Sequence, residues 1–509
     1  MLRRLGPAVA GLAAFVALAL APAVSAHPEE CSTAAAWATG GEGFSPYTSW
    51  QVAEEDVCTS EAVQAGYDDS SAQLAAGETG TDNLRLLASQ PKAGNFAPEA
   101  AFNSDIAFED GYAYVGNYEG VSIYDVRKPS RPKLVEQIEC PGSQNDVTIN
   151  DGILVTSTDS RRTDDSCASG ATTTPADPST WEGLKVFDVR NPRNPRHVTS
   201  VRTDCGSHTH TVLPEKKRLI VYVSSYDIAA GRFECEGPHD KISVVEIPRK
   251  DPAAAEVVNE PVLFPDGGND GTSGTLRATT GCHDITVYQA IDLAAGACTG
   301  QGVILDISDP EEPEVISSVE DENFAFWHSA TISQNGKRVL FTDEKGGGSG
   351  AECNPTVGPN RGADAIYDIT DPSNPQFMSY FKIPRTQTNE ENCVAHNGNA
   401  LPVRGRDILI QSWYQGGISV VDWTNGSNPR ELGWFDRGPI DPTRRVLGGF
   451  WSSYYYNGRI FGSEIQRGFD VFELKGREFR EAERVRTGTL NAQTQFPLRG
   501  DDSDSSDSD

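Results

Sequence analysis

Four histidines recur at one position of a repeated segment in this chain. His208 opens HTHTVLP, His283 opens HDITVYQ, His328 opens HSATISQ and His396 opens HNGNALP, each a short stretch with alternating apolar residues. Three further stretches of the same kind carry Ser104, Asn145 and Trp451 at that position. Imidazoles brought together in a partly dry pocket suit iron, copper, manganese or zinc, because a neutral ring nitrogen is a good ligand for all four. Carboxylates stand close by: Asp105, Asp146 and Asp284 follow the shared position by one residue, and Asp343, Glu344 and Glu464 come where the next strand should return. A ligating histidine usually donates its second N–H to such a group, and a carboxylate can also act as a base on metal-bound water. The candidate ligands are therefore His208, His283, His328 and His396, with His210, His239, Asp284 and Glu344 as further members. The competing reading is that duplication copied one structural histidine into several repeats, with the acids serving as loop caps.

The elements that must position these residues are clearest in Asn103–Val126, NSDIAFEDGYAYVGNYEGVSIYDV. Two apolar alternating segments joined by a Glu-Asp-Gly turn lead into a third, Gly120–Val126, and a proline turn, KPSRP, leads into a fourth, Lys133–Ile138. Period-two alternation with short turns predicts consecutive antiparallel hairpins. Four short strands per unit predict one blade of a propeller. The third strand recurs at Gly183–Val189, Lys241–Ile247, Val303–Ile307, Ala365–Ile369, Gly417–Trp423 and Phe469–Leu474, so the all-β fold expected is a seven-bladed β-propeller of four-stranded antiparallel blades. Asn83–Ala88, NLRLLA, stands ahead of the first unit where a fourth strand stands ahead of the others, and should close the ring as the last strand of blade 7. Closure removes two open sheet edges. First strands line a propeller's central channel, so the histidines should meet at its upper mouth.

The hydrophobic strand ending in Asp and Ile or Val, followed by two spaced prolines as in DVRNPRNP, DISDPEEP and DITDPSNP, resembles the LVIVD repeat family over roughly residues 83–474. The resemblance implies a bacterial or archaeal surface or secreted β-propeller and implies no particular activity. The seventh copy lacks the proline turn. The Asp that ends the third strand, at 125, 188, 306, 368 and 422, is read as a turn former that accepts backbone N–H groups.

A formal charge of −30 argues against nucleic acid and anionic membrane as partners, since both call for basic surface. Arg3 and Arg4, an apolar run from Ala8 to Ala23 and the small residues Val24, Ser25 and Ala26 predict a secretion signal peptide at 1–26. Residues 27–80 should form an irregular, disulfide-stapled leader, 81–478 the propeller, and 479–509 a C-terminal extension with an acidic disordered tail. All ten cysteines lie after the signal, and an even count in an exported chain predicts disulfides. Their places in the repeat predict Cys140–Cys167, Cys205–Cys235, Cys282–Cys298 and Cys353–Cys393 on the upper face, and Cys31–Cys58 in the leader. Insertions at Ser160–Thr180, Ile228–Asp240, Gln289–Gly300 and Gly346–Gly362 are placed between second and third strands, crowding the same face.

No nucleophile elbow, phosphate-cradling loop or dinucleotide fingerprint is found in context, so no nucleotide cofactor is expected. Nor is there a membrane span after the signal. The expectation is a secreted or cell-surface monomer that binds a small molecule, glycan or protein on its upper face, with a transition metal in the histidine cluster. Trp327, Trp413, Tyr414, Phe450, Trp451 and Tyr454–Tyr456 could grip such a ligand or pack between blades. The alternatives are a metal-dependent oxidoreductase using the same four histidines, and a metal-free structural interaction protein.

Overall fold

A computed structural model describes residues 78–172, 180–226, 239–272 and 277–498. The predicted signal peptide, the Cys31–Cys58 pair, Cys235 and the acidic tail lie outside the described residues. Seven antiparallel sheets stand in a ring, five with four strands and two with a fifth strand added at an edge. The inner strands, in chain order, are Asn103–Glu109, Val147–Asn150, Thr209–Pro214, Ile285–Tyr288, Trp327–Ile332, Gly398–Ala400 and Phe450–Tyr456. Each packs against the next, and the seventh against the first, so the ring is closed.

Closure works as the sequence predicts. Leu84–Gln90 joins blade 7 as its outermost strand, with Leu84 opposite Leu474 and Gln90 opposite Phe469. Just before it, Thr79–Gly80 adds a short fifth strand to blade 6, so the leader's last residues are part of the ring.

The apolar residues of each blade meet those of the next rather than a central core. Leu213, Ile220 and Val244 of blade 3 pack on Ile285, Val303 and Leu305 of blade 4. Phe108 of blade 1 stacks on Tyr456 of blade 7 at 4.7 Å. Each such side chain removed from water contributes about 1.5–3 kcal/mol. The turn aspartates behave as read: Asp125, Asp188, Asp306, Asp368 and Asp422 each accept the backbone N–H two residues on.

One expectation needs correction. Gln289–Gly300 is not an insertion between strands two and three of blade 4. Gln289–Ile291 is a single helical turn after the first strand, and Leu293–Cys298 is the second strand itself, followed at once by the third, Gln301–Asp306. Its Leu-Ala-Ala-Gly-Ala-Cys sequence lacks β-branched residues and so hides its conformation. Small residues suit the spot, because a side chain on Gly302 opposite would meet the Trp327 ring at 2.7 Å. The C-terminal extension packs against the propeller up to residue 498. After two short helical turns, Thr489–Leu490 pairs with Phe108 and Glu109, and the following residues run across the lower end of the channel.

Candidate metal centre

Four inner strands deliver the four histidines to the upper mouth of the channel as a continuous row. Ring centroids are 4.5 Å apart for His208 and His283, 3.9 Å for His283 and His328, and 4.4 Å for His328 and His396. All four are buried. The row exists because consecutive blades place the same strand position at the same height around one axis.

The hydrogen bonds behind the rings decide what the rings offer in front. His208 Nδ1 lies 2.7 Å from Asp159 Oδ2, and His283 Nδ1 lies 2.9 Å from Asp284 Oδ1. His396 Nδ1 donates to the Trp451 carbonyl at 2.5 Å. A carboxylate or carbonyl behind Nδ1 favours the proton there and leaves Nε2 as an acceptor, which at His208 also lies 3.4 Å from the Tyr226 hydroxyl. His208 Nε2 and His283 Nε2 then face each other across 2.9 Å. Two ligands about 2.0–2.1 Å from one ion and 2.9 Å apart subtend about 90° at it. Two lone pairs at that distance repel unless a cation sits between them.

Glu344 enters from the end of the second strand of blade 5. Its carboxylate lies 3.8 Å from His328 Nε2 and 3.6 Å from His396 Nε2. His283, His328 and Glu344 each offer one ligand atom within 4.8 Å of the others. The Tyr414 hydroxyl donates to Oε1 of the same carboxylate. Tyr414 holds a left-handed backbone with φ of 53°, a strained conformation for a bulky residue. Gly348 makes room for it, since a side chain there would meet the phenol oxygen at 2.3 Å.

The chamber is apolar and tightly walled. Tyr226 stacks on His283 at 5.6 Å, Phe326 stands edge-on to it at 5.7 Å, and Trp451 stands edge-on to His396 at 5.4 Å. Burial disfavours the imidazolium form, so His283 and His328 are held well below the ordinary histidine range and His396 is pushed down to about 3. Burial also pushes Glu344 up to about 8 and Asp284 up to about 7. Burial therefore keeps His283, His328 and His396 as neutral imidazoles.

The remaining candidates lie elsewhere. His210 is engaged by Thr148 at 2.7 Å, Ser157 at 2.8 Å and Asp146 at 3.2 Å, which is a satisfied structural histidine deeper in the channel. His239 faces Cys205 at 3.3 Å and Ser225 at 3.2 Å. Asp204, Cys205 and His239 form a second group close enough to hold an ion, but Cys205 is disulfide-bonded and offers no thiolate. Asp284 does not face the other rings and acts through His283. Asp105 accepts from Ser452 and Tyr454 on the inner strand of blade 7 and so ties blade 1 to it, while Glu464 accepts the N–H groups of Gly449 and Gln466 and serves the loops around it. Asn145 and Ser104, two of the three non-histidine residues at the shared position, tie neighbouring blades by bonding to Asn117 and Gln144 carbonyls. Asp159 and Tyr226 are not singled out by the sequence, and Tyr414 is singled out only as an aromatic that grips a ligand or packs between blades. Their signal was position, since Asp159 lies at the upper end of a second strand as Glu344 does.

The upper loops are stapled by Cys140–Cys167, Cys282–Cys298 and Cys353–Cys393, while Cys205 is disulfide-bonded to a partner outside the described residues. Cys282 immediately precedes His283 and Cys393 stands three residues before His396, so two staples fix the entry of two histidine-bearing strands.

The LVIVD repeat matches residues 103–139 and 299–321. No curated protein sequence matches the chain. Similar solved structures include a candidate 6-phosphogluconolactonase from Bacteroides fragilis, with 9% identity, 73% of this chain and 89% of that chain covered, and a TM-score of 0.42. Another, from Bacteroides uniformis, shows 11% identity, coverage of 70% and 89%, and a TM-score of 0.43. A functionally unknown protein from Desulfotomaculum acetoxidans shows 12% identity, coverage of 68% and 90%, and a TM-score of 0.42. The chain is a seven-bladed β-propeller that carries LVIVD repeats.

Proposed function

We propose that the protein is a secreted, monomeric propeller that holds one transition metal ion at the upper mouth of its channel and binds its ligand or partner on the disulfide-braced face around that ion. The ligands are His208, His283, His328 and His396, joined by Glu344. One observation carries this reading: the Nε2 atoms of His208 and His283 face each other 2.9 Å apart, with a carboxyl oxygen within hydrogen-bond distance of Nδ1 behind each ring. Imidazole nitrogens with a single carboxylate suit iron, copper, manganese or zinc more than calcium or magnesium, which prefer all-oxygen sites. The disulfides and the −30 charge support an exported protein.

The oxidoreductase reading uses the same ligands and draws its support from Tyr414, whose backbone is strained, whose phenol donates to Glu344 and whose ring is tilted against His396 with centroids 4.4 Å apart, since buried strain gathers at reactive sites. Metal analysis of purified mature protein beside a His328→Ala variant tests the shared claim. One equivalent in the wild type, and occupancy lowered at least tenfold in the variant, is the expected result. Metal-free wild type would leave a proton bridging His208 and His283 and a purely structural propeller. Turnover of an oxidisable substrate by the loaded protein would favour the enzyme.

A further inference from the structure

The channel below the histidines is closed by the chain's own C-terminal segment. Residues 488–495 visit the inner strands in ring order. Gly488 accepts from Asp110 N–H and from the Tyr456 hydroxyl, and Thr489 and Leu490 pair with Glu109 and Phe108. The Asn491 side chain brackets Ile149, accepting its N–H at 2.8 Å and donating to its carbonyl at 2.9 Å. Thr494 donates to the Val212 carbonyl at 2.6 Å, and Val287 bonds both Gln493 and Gln495 through their backbones at 2.8 Å. Gln495 brackets Ile332 as Asn491 brackets Ile149, with both bonds at 2.7 Å. Inner strands are sheet edges with unpaired backbone groups facing the channel, and the strap satisfies them in five successive blades.

One strap side chain points upward instead. Gln493 Nε2 donates to Asp284 Oδ2 at 3.3 Å, and the other oxygen of that carboxylate holds His283 Nδ1. Gln493 and Asp284 are both buried. We infer that Gln493 is a positioning residue of the histidine centre: through Asp284 it fixes the orientation and tautomer of His283, so the last segment of the chain completes the site. Gln493 touches no metal ligand itself. Its amide orients the carboxylate so that Oδ1 receives the His283 proton and Nε2 is left bare toward His208. This inference rests on the metal reading only for its consequence, because the tautomer of His283 is set with or without an ion.

The test compares Gln493→Met, which keeps the volume and removes the donor, with Thr494→Val, which cuts a strap bond remote from the site. Both are made in the full mature chain. In apo protein with isotope-labelled histidine, long-range nitrogen–proton correlation spectra should show His283 protonated at Nδ1 in the wild type and in Thr494→Val, and a mixture of tautomers in Gln493→Met. Zinc titration against a chromogenic chelator should show affinity about three- to tenfold lower in Gln493→Met alone, a smaller loss than the 10–100-fold typical when a ligand's direct partner is removed. An unchanged His283 tautomer in Gln493→Met, or an equal change in both variants, overturns the inference. A wild type that takes up no zinc contradicts the metal reading, and the tautomer comparison still decides the role of Gln493.

Discussion

At the scale of single residues, the four histidines were legible because they recur at one register position, and a repeat converts register into shared height in the ring. Which of the other polar residues join them was not legible. His210 lies two residues past His208 on the same side of the strand but one step deeper, where it meets Ser157 and Asp146 while His208 meets Asp159. Asp159 and Tyr414 come from second strands and loops, where spacing carries no such signal. Burial without compensation is a residue-scale cost that can be measured away from the site. Glu391, buried beside Thr388, is pushed up to about 7 chiefly by desolvation, so the folded state favours its protonated form. A raised carboxyl contributes stability in full below its unfolded value near 4.5 and loses it as pH climbs through about 7. Glu391→Gln should therefore match the wild type at pH 4.5 and exceed it at pH 8 by on the order of 2 kcal/mol in urea unfolding. Equal stability at both pH values would show that the carboxyl is not desolvated.

At the scale of elements, strands with β-branched residues and Asp-Gly or Asn-Gly turns announced themselves, whereas Leu293–Cys298 did not. The strap was invisible for a related reason. Its sequence, Thr-Leu-Asn-Ala-Gln-Thr-Gln, is polar and lacks apolar alternation, since its partners are backbone edges and it bonds them through amide side chains. Disulfide pairing was readable because blade geometry dictates which loops share a face. Cys353–Cys393 closes a loop across a sequence separation of 40 and clamps the segment that delivers His396. Loop-closure entropy for that length assigns it about 4 kcal/mol. A Cys353→Ser, Cys393→Ser double variant should lose stability of that order in equilibrium unfolding, and a loss below about 1 kcal/mol would mean the surrounding packing holds the loop unaided.

At the scale of the whole molecule, the ring explains why the site can exist. Seven blades closed by the N-terminal strand on one side and the C-terminal strap below form a rigid wall around a narrow axis. Only such closure can hold neutral imidazoles and carboxyls in an apolar chamber against their preference for water. Architecture was readable from the repeat alone, and chemistry was not, because the LVIVD pattern records the strands and turns that build blades while the site depends on what each blade adds at its upper end. The most direct measurement is a crystal of the mature protein with diffraction recorded on either side of the absorption edge of the metal found by elemental analysis. The account predicts an anomalous peak about 2.0–2.2 Å from Nε2 of His208 and His283, with His328, His396 and Glu344 completing its shell. A difference map that is flat at that point, from protein never exposed to chelator, would contradict it.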